Sequence, residues 1–71
     1  MSSIAEDLAN RYTYHAPRPD QIEKYAVIRA NVHSIAQEFV SLCPTSRELA
    51  LALTHLEEAV FWANAAIARN E

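Results

Sequence analysis

Between positions 20 and 43 of this 71-residue chain, large apolar residues recur at alternating intervals of three and four. They are Tyr25, Ile28, Val32, Ile35, Phe39 and Leu42. This spacing matches the period of an α-helix and places all six on one face. A second stripe has the same spacing: Leu49, Leu53, Leu56, Val60, Ala63 and Ile67. The two stripes predict two long helices packed along one seam.

The residues between the stripes predict a tight turn. Pro44 follows the first stripe and ends its helix. Thr45 and Glu48 have the spacing of a capping box, which starts another helix immediately. A turn this short makes the helices antiparallel, so we expect a helical hairpin with arms at about 19–43 and 46–69. The complete absence of glycine also favours helix.

The N-terminal part predicts a short helix and a loop. Ser3 and Glu6 form a capping box for a helix at about 3–10, with Ile4 and Leu8 as its apolar edge. Residues 11–18 lack helical periodicity, and proline at position 19 suits the first turn of the next helix. The whole chain is therefore expected to be one all-α domain, residues 1–71.

A single copy of such a hairpin is too small to be comfortably stable alone. Cys43 is the only cysteine, so it forms no internal disulfide, and we expect it to be a small buried residue. The three histidines are far apart and lack metal-ligand spacing. Self-association is the remaining way to stabilise the fold.

Apolar residues outside the seam also predict self-association. They are Val27, Val40, Leu51, Phe61, Trp62 and Ala66. The short N-terminal helix could cover some of them, but hardly Trp62 and Leu51 together. We therefore expect the hairpins to assemble into a homo-oligomeric helical bundle.

Charge and motifs exclude several functions. The net charge of −3 does not favour duplex nucleic acid or a membrane surface, and no apolar run reaches the length of a membrane span. The N-terminus lacks the pattern of a secretory signal, which makes a reducing cytoplasm the expected location. The adjacent Glu57 and Glu58 point about 100° apart on a helix and cannot act as an acid–base pair. We expect a binding protein without catalytic residues, metal or cofactor.

Aromatic and cationic residues are concentrated in the loop and its flanks. They are Arg11, Tyr12, Tyr14, His15, Arg18, Lys24 and Arg29. Tyrosine rings stack on nucleobases, and Arg or Lys binds phosphate. The alternative is that the tyrosines fix the loop to the hairpin while the cations are only solvated. The adjoining helix N-terminus slightly favours anion binding, but both interpretations remain open.

Several segments resemble the phage anti-CBASS sponge family, which shares a helical-hairpin domain with some anti-Thoeris sponges. The resemblance runs from about residue 11 to residue 70. It is carried by Tyr-Thr-Tyr-His-Ala-Pro at 12–17, Gln21, Lys24-Tyr25, Ile28-Arg29, Cys-Pro-Thr-Ser-Arg-Glu at 43–48, and the end from Leu56 to Asn70.

The resemblance implies a homohexamer that sequesters cyclic oligonucleotide messengers, such as the cyclic GMP-AMP of bacterial cGAS-like enzymes, without cleaving them. It implies that Tyr14 stacks on a base and that Arg29 faces the phosphates of a cyclic dinucleotide, joined by Tyr12, His15 and Lys24. Some relatives have lysine at the position of Arg29, and arginine forms a different hydrogen-bonding fork. Arg69 matches the cation of a second pocket, for cyclic trinucleotides. The rival hypothesis is a small helical adaptor that binds a host protein through the Phe61 and Trp62 face.

Overall fold

The computed structural model describes residues 3–71, which form three α-helices and no strand. Helix α1 spans Ile4–Tyr12, α2 spans Pro19–Leu42 and α3 spans Arg47–Asn70. The end of α3 lies beside the start of α2, as the contacts of Glu71 with Arg18 and Lys24 show. Helices α2 and α3 therefore run antiparallel, and the predicted all-helical hairpin is confirmed.

Helix α1 is longer than the sequence suggested. Its first turn is capped by Ser3, whose hydroxyl accepts from the backbone N–H of Glu6 at 3.1 Å. It ends at Tyr12 instead of residue 10, and an ion pair of 2.8 Å between Arg11 and Asp7 spans its last turn. Such i,i+4 pairs stabilise a helix. Arg11 and Tyr12 are thus helical residues, and the loop begins at Thr13.

The turn between the long helices corrects two expectations. Ser46, not Thr45, caps α3: its hydroxyl accepts from the backbone N–H of Leu49 at 3.1 Å and donates to the Pro44 carbonyl at 3.0 Å. Cys43 is exposed, not buried. It lies beyond the last turn of α2 in extended backbone, which turns its side chain away from the seam.

The seam between α2 and α3 follows the two stripes closely on α3 and less closely on α2. All six stripe residues of α3 are partly buried. On α2, Tyr25, Ile28, Val32 and Phe39 are partly buried, but Leu42 is 74% exposed. Ala36 faces the seam beside the more exposed Ile35. An uncoiled helix drifts relative to a regular three-four repeat, so the ends of a long stripe leave the contact line.

The molecule is a rod with little interior. Its extents are 44 × 28 × 19 Å and its radius of gyration is 15.4 Å, against about 11 Å for a compact domain of this length. Among residues 3–71, no apolar side chain is fully buried. Helix α1 does not cover the off-seam residues: Trp62 remains 68% exposed and Phe61 60% exposed, and Ile4 on α1 is itself 82% exposed.

None of the three described helices combines the length and apolar character needed to cross a membrane.

Candidate functional site

The loop between α1 and α2 is fixed at its N-terminal side by two contacts to α1. The Thr13 hydroxyl donates to the carbonyl of Ala9, one turn earlier. Nε2 of His15 donates to the carbonyl of Asn10 at 2.8 Å, and His15 is partly buried. These carbonyls belong to the last turn of α1, which has no helical partners for them. The start of the loop is therefore held in a fixed position against the end of α1.

At its C-terminal side the loop is fixed by Arg18 and Gln21. The backbone N–H of Arg18 donates to Oε1 of Gln21 at 3.0 Å. Gln21 is only 4% exposed, and it is the one buried polar side chain in the part of the chain that the structure describes. Arg18 also donates from its guanidinium to the backbone carbonyl of Glu71 at 3.1 Å. This contact ties the start of α2 to the end of α3.

Helix α1 is held against α3 by a hydrogen bond of its own. Nδ2 of Asn10 donates to the carbonyl of Arg69 at 2.9 Å. That carbonyl lies in the last turn of α3, where a helix leaves its carbonyls unpaired. Asn10 thus holds α1 through its side chain and the loop through its own carbonyl, which His15 binds.

Tyr12, the last residue of α1, and Tyr14, in the loop, both project into solvent. Tyr14 is 84% exposed and Tyr12 86% exposed. Neither ring is buried against the hairpin, although Tyr12 borders a groove whose other wall is α3, so the tyrosines do not fix the loop. The fixing is done by Thr13, His15 and Arg18, and the rings are left available.

Ion pairs engage most cations near the loop. Arg18 contacts Asp20 at 3.3 Å. The hydrogen bond from Arg18 holds the pKa of the Asp20 carboxyl below its usual value of 3.8, and the same contact raises the pKa of Arg18. The ammonium of Lys24 contacts the carboxylate of Glu71. Among the described residues, no carboxylate forms an ion pair with Arg29 or Arg69.

Lys24 and Arg29 lie on different faces of the hairpin. Five residues separate them on α2, so their side chains point about 140° apart. Lys24 lines a groove of about 510 Å³ with Val27 and Ile67. Arg29 lines another groove of about 750 Å³, which runs between α2 and α3 past Leu56 and Phe61. A single copy therefore does not gather the two cations around one ligand.

Tyr12 and Arg69 share a third groove, of about 550 Å³, between α1 and the end of α3. Arg11 and the indole of Trp62 line it as well. Two aromatic rings and two guanidinium groups meet here, although Arg11 is already paired with Asp7. The chemistry suits a base and a phosphate, and the floor is formed by small residues, Ala65 and Ala66.

Sequence patterns did not single out Asn10 or Glu71, which position this end of the molecule. Their partners are distant in the chain: Asn10 binds residue 69, and Glu71 binds residues 18 and 24. Local spacing carries no signal for such pairs. The two extra residues of α1 did have a signal, because Asp7 and Arg11 have the i,i+4 spacing of a helical ion pair.

Within residues 3–71, no group of three or more His, Cys, Asp or Glu side chains is arranged to hold a metal ion.

The comparisons with known proteins add one match. Neither the curated proteins nor the solved structures contain a significant match to this chain. The family profile described as Acb2/Tad1, hairpin domain, matches residues 5–68, which cover all of α2 and nearly all of α1 and α3. The chain therefore belongs to the Acb2/Tad1 hairpin-domain family, the anti-CBASS and anti-Thoeris sponges that bind cyclic oligonucleotides.

Proposed function

We propose that this protein binds cyclic oligonucleotide second messengers and sequesters them without cleaving them, in the cytoplasm of a bacterial host infected by phage. Its ligands are cyclic dinucleotides such as cyclic GMP-AMP, and cyclic trinucleotides. Sequestration keeps the messenger from activating the CBASS effector. The observation that carries the proposal is the exposed ring of Tyr14 on a loop that is fixed at both ends.

An exposed aromatic ring on a fixed loop favours stacking. Apolar ring surface in water is unfavourable, and a ligand base that covers the ring removes that surface from water. Because His15 and Arg18 already hold the loop, little conformational entropy is lost when the base binds. Stacking on Tyr14 is therefore stronger than stacking on a ring in a mobile loop.

The phosphates of the dinucleotide are assigned to Arg29, with Lys24 as a second cation. Arg29 lies ten residues beyond the start of α2, about 15 Å along the helix axis. We propose that a ligand stacked on Tyr14 meets the Arg29 of a neighbouring copy. His15 lies in the loop, Tyr12 at the end of α1 and Lys24 in the second turn of α2. Of these, His15 also has a structural role in its bond to Asn10.

A second copy is also favoured by the surface of a single chain. Its solvent-accessible area is 5727 Å², about 1,300 Å² more than a folded monomer of 8.0 kDa normally exposes. A standard interface covers about 800 Å² per partner. Association through the exposed Phe61, Leu51 and Val40 surfaces would remove this excess, and a hexamer would give each chain more than one such interface.

The groove of Tyr12, Trp62 and Arg69 is the proposed site for cyclic trinucleotides. Its guanidinium groups and rings match the charge and the flat bases of such a ligand. It lies on the α1–α3 side, away from the groove that Arg29 lines. The two ligand types would then bind independently.

Calorimetric titration with a panel of cyclic di- and trinucleotides tests the proposal. We expect saturable binding, and release of intact ligand when the complex is heat-denatured and analysed by chromatography. Light scattering before and after titration reports the oligomer. Absence of binding heat and of any thermal shift across the panel would refute the proposal, and recovery of linear products would indicate an enzyme instead.

The exposed Phe61 and Trp62 also suit the rival function, an adaptor for a host protein. That function predicts a stable co-purifying partner and indifference to Tyr14→Ala. The sponge predicts that the chain self-associates at micromolar concentration without a host partner and loses ligand affinity in Tyr14→Ala.

A further inference from the structure

The ion pair between Lys24 and Glu71 differs from the other Lys and Arg ion pairs of the described chain. Arg11 pairs with Asp7 and Arg18 with Asp20, in each case between residues no more than four positions apart. The pair of Lys24 with Glu71 instead joins residues 47 apart in sequence and links the start of α2 to the end of α3. It brings a carboxylate to a cation that lies close to the loop.

Glu71 is held in place by its backbone. Its N–H donates to the carbonyl of Ile67 at 3.2 Å, and its own carbonyl accepts from Arg18 at 3.1 Å. The side chain alone carries the contact to Lys24. The carboxylate can therefore leave Lys24 by rotation of its side chain, while both backbone hydrogen bonds persist.

We propose that the Glu71 carboxylate is an internal competitor for the ligand phosphate, which occupies Lys24 in the free chain and is displaced when a cyclic oligonucleotide binds. This inference rests on the proposed function, because it takes Lys24 as a phosphate contact. Carboxylate and phosphate are both anions that accept hydrogen bonds from an ammonium. A phosphate at Lys24 places two negative charges side by side, and their repulsion drives Glu71 away.

The competitor lowers the affinity of every anion that binds Lys24 by the same factor. Both side chains of the pair are partly exposed, and exposed pairs of this kind are weak. A small anion that gains only the contact to Lys24 must break the pair and gains little. A cyclic oligonucleotide also stacks on Tyr14, so it overcomes the same cost easily. Free phosphate and metabolite anions, which have no other contact, are therefore kept off Lys24, whereas the messenger loses the same small factor and still binds.

A double-mutant cycle with cyclic GMP-AMP as the probe tests this inference. The variants are Glu71→Gln, Lys24→Met and the double variant, titrated by calorimetry in about 0.05 M and about 0.5 M NaCl. Glutamine keeps the length and both backbone contacts but removes the charge. We expect Glu71→Gln to bind roughly two- to fivefold more tightly at low salt, with no gain in the Lys24→Met background and a smaller gain at high salt.

The matched control is Glu38→Gln, which also removes one carboxylate charge but lies about 21 Å from Lys24 along α2. It should leave the affinity unchanged. The inference is overturned if Glu71→Gln binds no more tightly than the parent, if its gain persists without Lys24, or if Glu38→Gln gives an equal gain. In each of those cases the proposed function still stands, provided that the parent protein binds cyclic GMP-AMP. If the parent itself does not bind cyclic GMP-AMP or any other cyclic oligonucleotide of the panel, the proposed function fails first, and this inference with it.

Discussion

The seam of the hairpin and the loop end of the molecule are stabilised in different ways. Along the seam, two apolar stripes meet over the length of α2 and α3, and no single contact dominates. At the loop end, few apolar contacts form, and a small set of directed hydrogen bonds fixes the chain. They run from Asn10 to Arg69, from His15 to Asn10 and from Arg18 to Glu71.

This difference separates stability from recognition. Apolar packing along the seam supplies most of the favourable free energy of folding, since burial is the dominant favourable contribution. The loop end supplies little of it, and its bonds instead set the positions of exposed rings and cations. Substitutions at the two regions should therefore have different signatures, and the predictions below test this separation.

The largest expected effect on stability is at the seam. Leu56 is partly buried between α2 and α3 and lines the groove that Arg29 shares. Leu56→Ala should lower the free energy of unfolding by about 2 kcal/mol, the lower end of the range for buried leucines, because Leu56 is incompletely buried. Urea unfolding followed by circular dichroism at fixed protein concentration measures the change. Thr54→Ala, an exposed control two residues away, should change it by less than about 0.5 kcal/mol.

Equal effects of Leu56→Ala and Thr54→Ala would mean that the seam is not the stabilising region.

Tyr14→Ala should show the opposite signature. The ring is exposed, so its removal should leave the unfolding midpoint unchanged. Ligand affinity should fall by about 1–3 kcal/mol, the usual value of one base–aromatic stack. Calorimetry with a cyclic dinucleotide measures the loss. Tyr14→Phe keeps the ring and should bind nearly as tightly; a similar loss in both variants would point to the hydroxyl instead of stacking.

The turn at the far end of the seam offers a sharper comparison between neighbours. Ser46→Ala removes the cap of α3 and should cost about 1 kcal/mol of stability. Thr45→Ala removes a hydroxyl that does not cap the helix and should cost less than about 0.5 kcal/mol. Thermal unfolding of the two variants measures both. The reverse order would place the cap at Thr45 after all.

The stripes and prolines were enough to predict the hairpin, because the helical period and the helix ends are local properties. Pro19 and Pro44 mark boundaries that the structure keeps within one or two residues. The cap could not be assigned from spacing alone, since Thr45 and Ser46 are both good capping residues and Glu48 favoured the wrong one. Cys43 was placed in the core by extending the stripe past the end of its helix.

The candidate site was less predictable than the fold. Composition identified the loop as rich in rings and cations, and the structure leaves Tyr12 and Tyr14 exposed there. Composition could not indicate that Lys24 is paired with Glu71, or that Arg29 faces another side of the hairpin. The ion pair joins residues that are distant in the sequence, and the position of Arg29 depends on how α2 packs against α3. The role of each residue in binding stays a prediction.

A smaller effect should separate α1 from the hairpin. Asn10→Ala removes the hydrogen bond to Arg69 but keeps the carbonyl that His15 binds. We expect a cost of about 0.5–1 kcal/mol that is confined to the docking of α1. Hydrogen exchange should accelerate in residues 4–12 and remain unchanged along α2 and α3. Uniform acceleration would show that α1 unfolds together with the seam, contrary to the comparison above.

The smallest effect concerns pH at the loop end. Because Arg18 lowers the pKa of Asp20 below 3.8, the Asp20 carboxylate stabilises the folded chain at pH values above 3.8, and this contribution is lost as the pH falls through the lowered pKa. Both side chains are exposed, so the effect on the unfolding midpoint is slight. Asp20→Asn should therefore unfold slightly earlier than the parent at neutral pH and equally at strongly acidic pH. If the midpoints differ by the same amount at both pH values, the difference comes from other properties of the side chain in the first turn of α2 and not from its charge. In that case Glu71 alone holds Arg18 at the loop end.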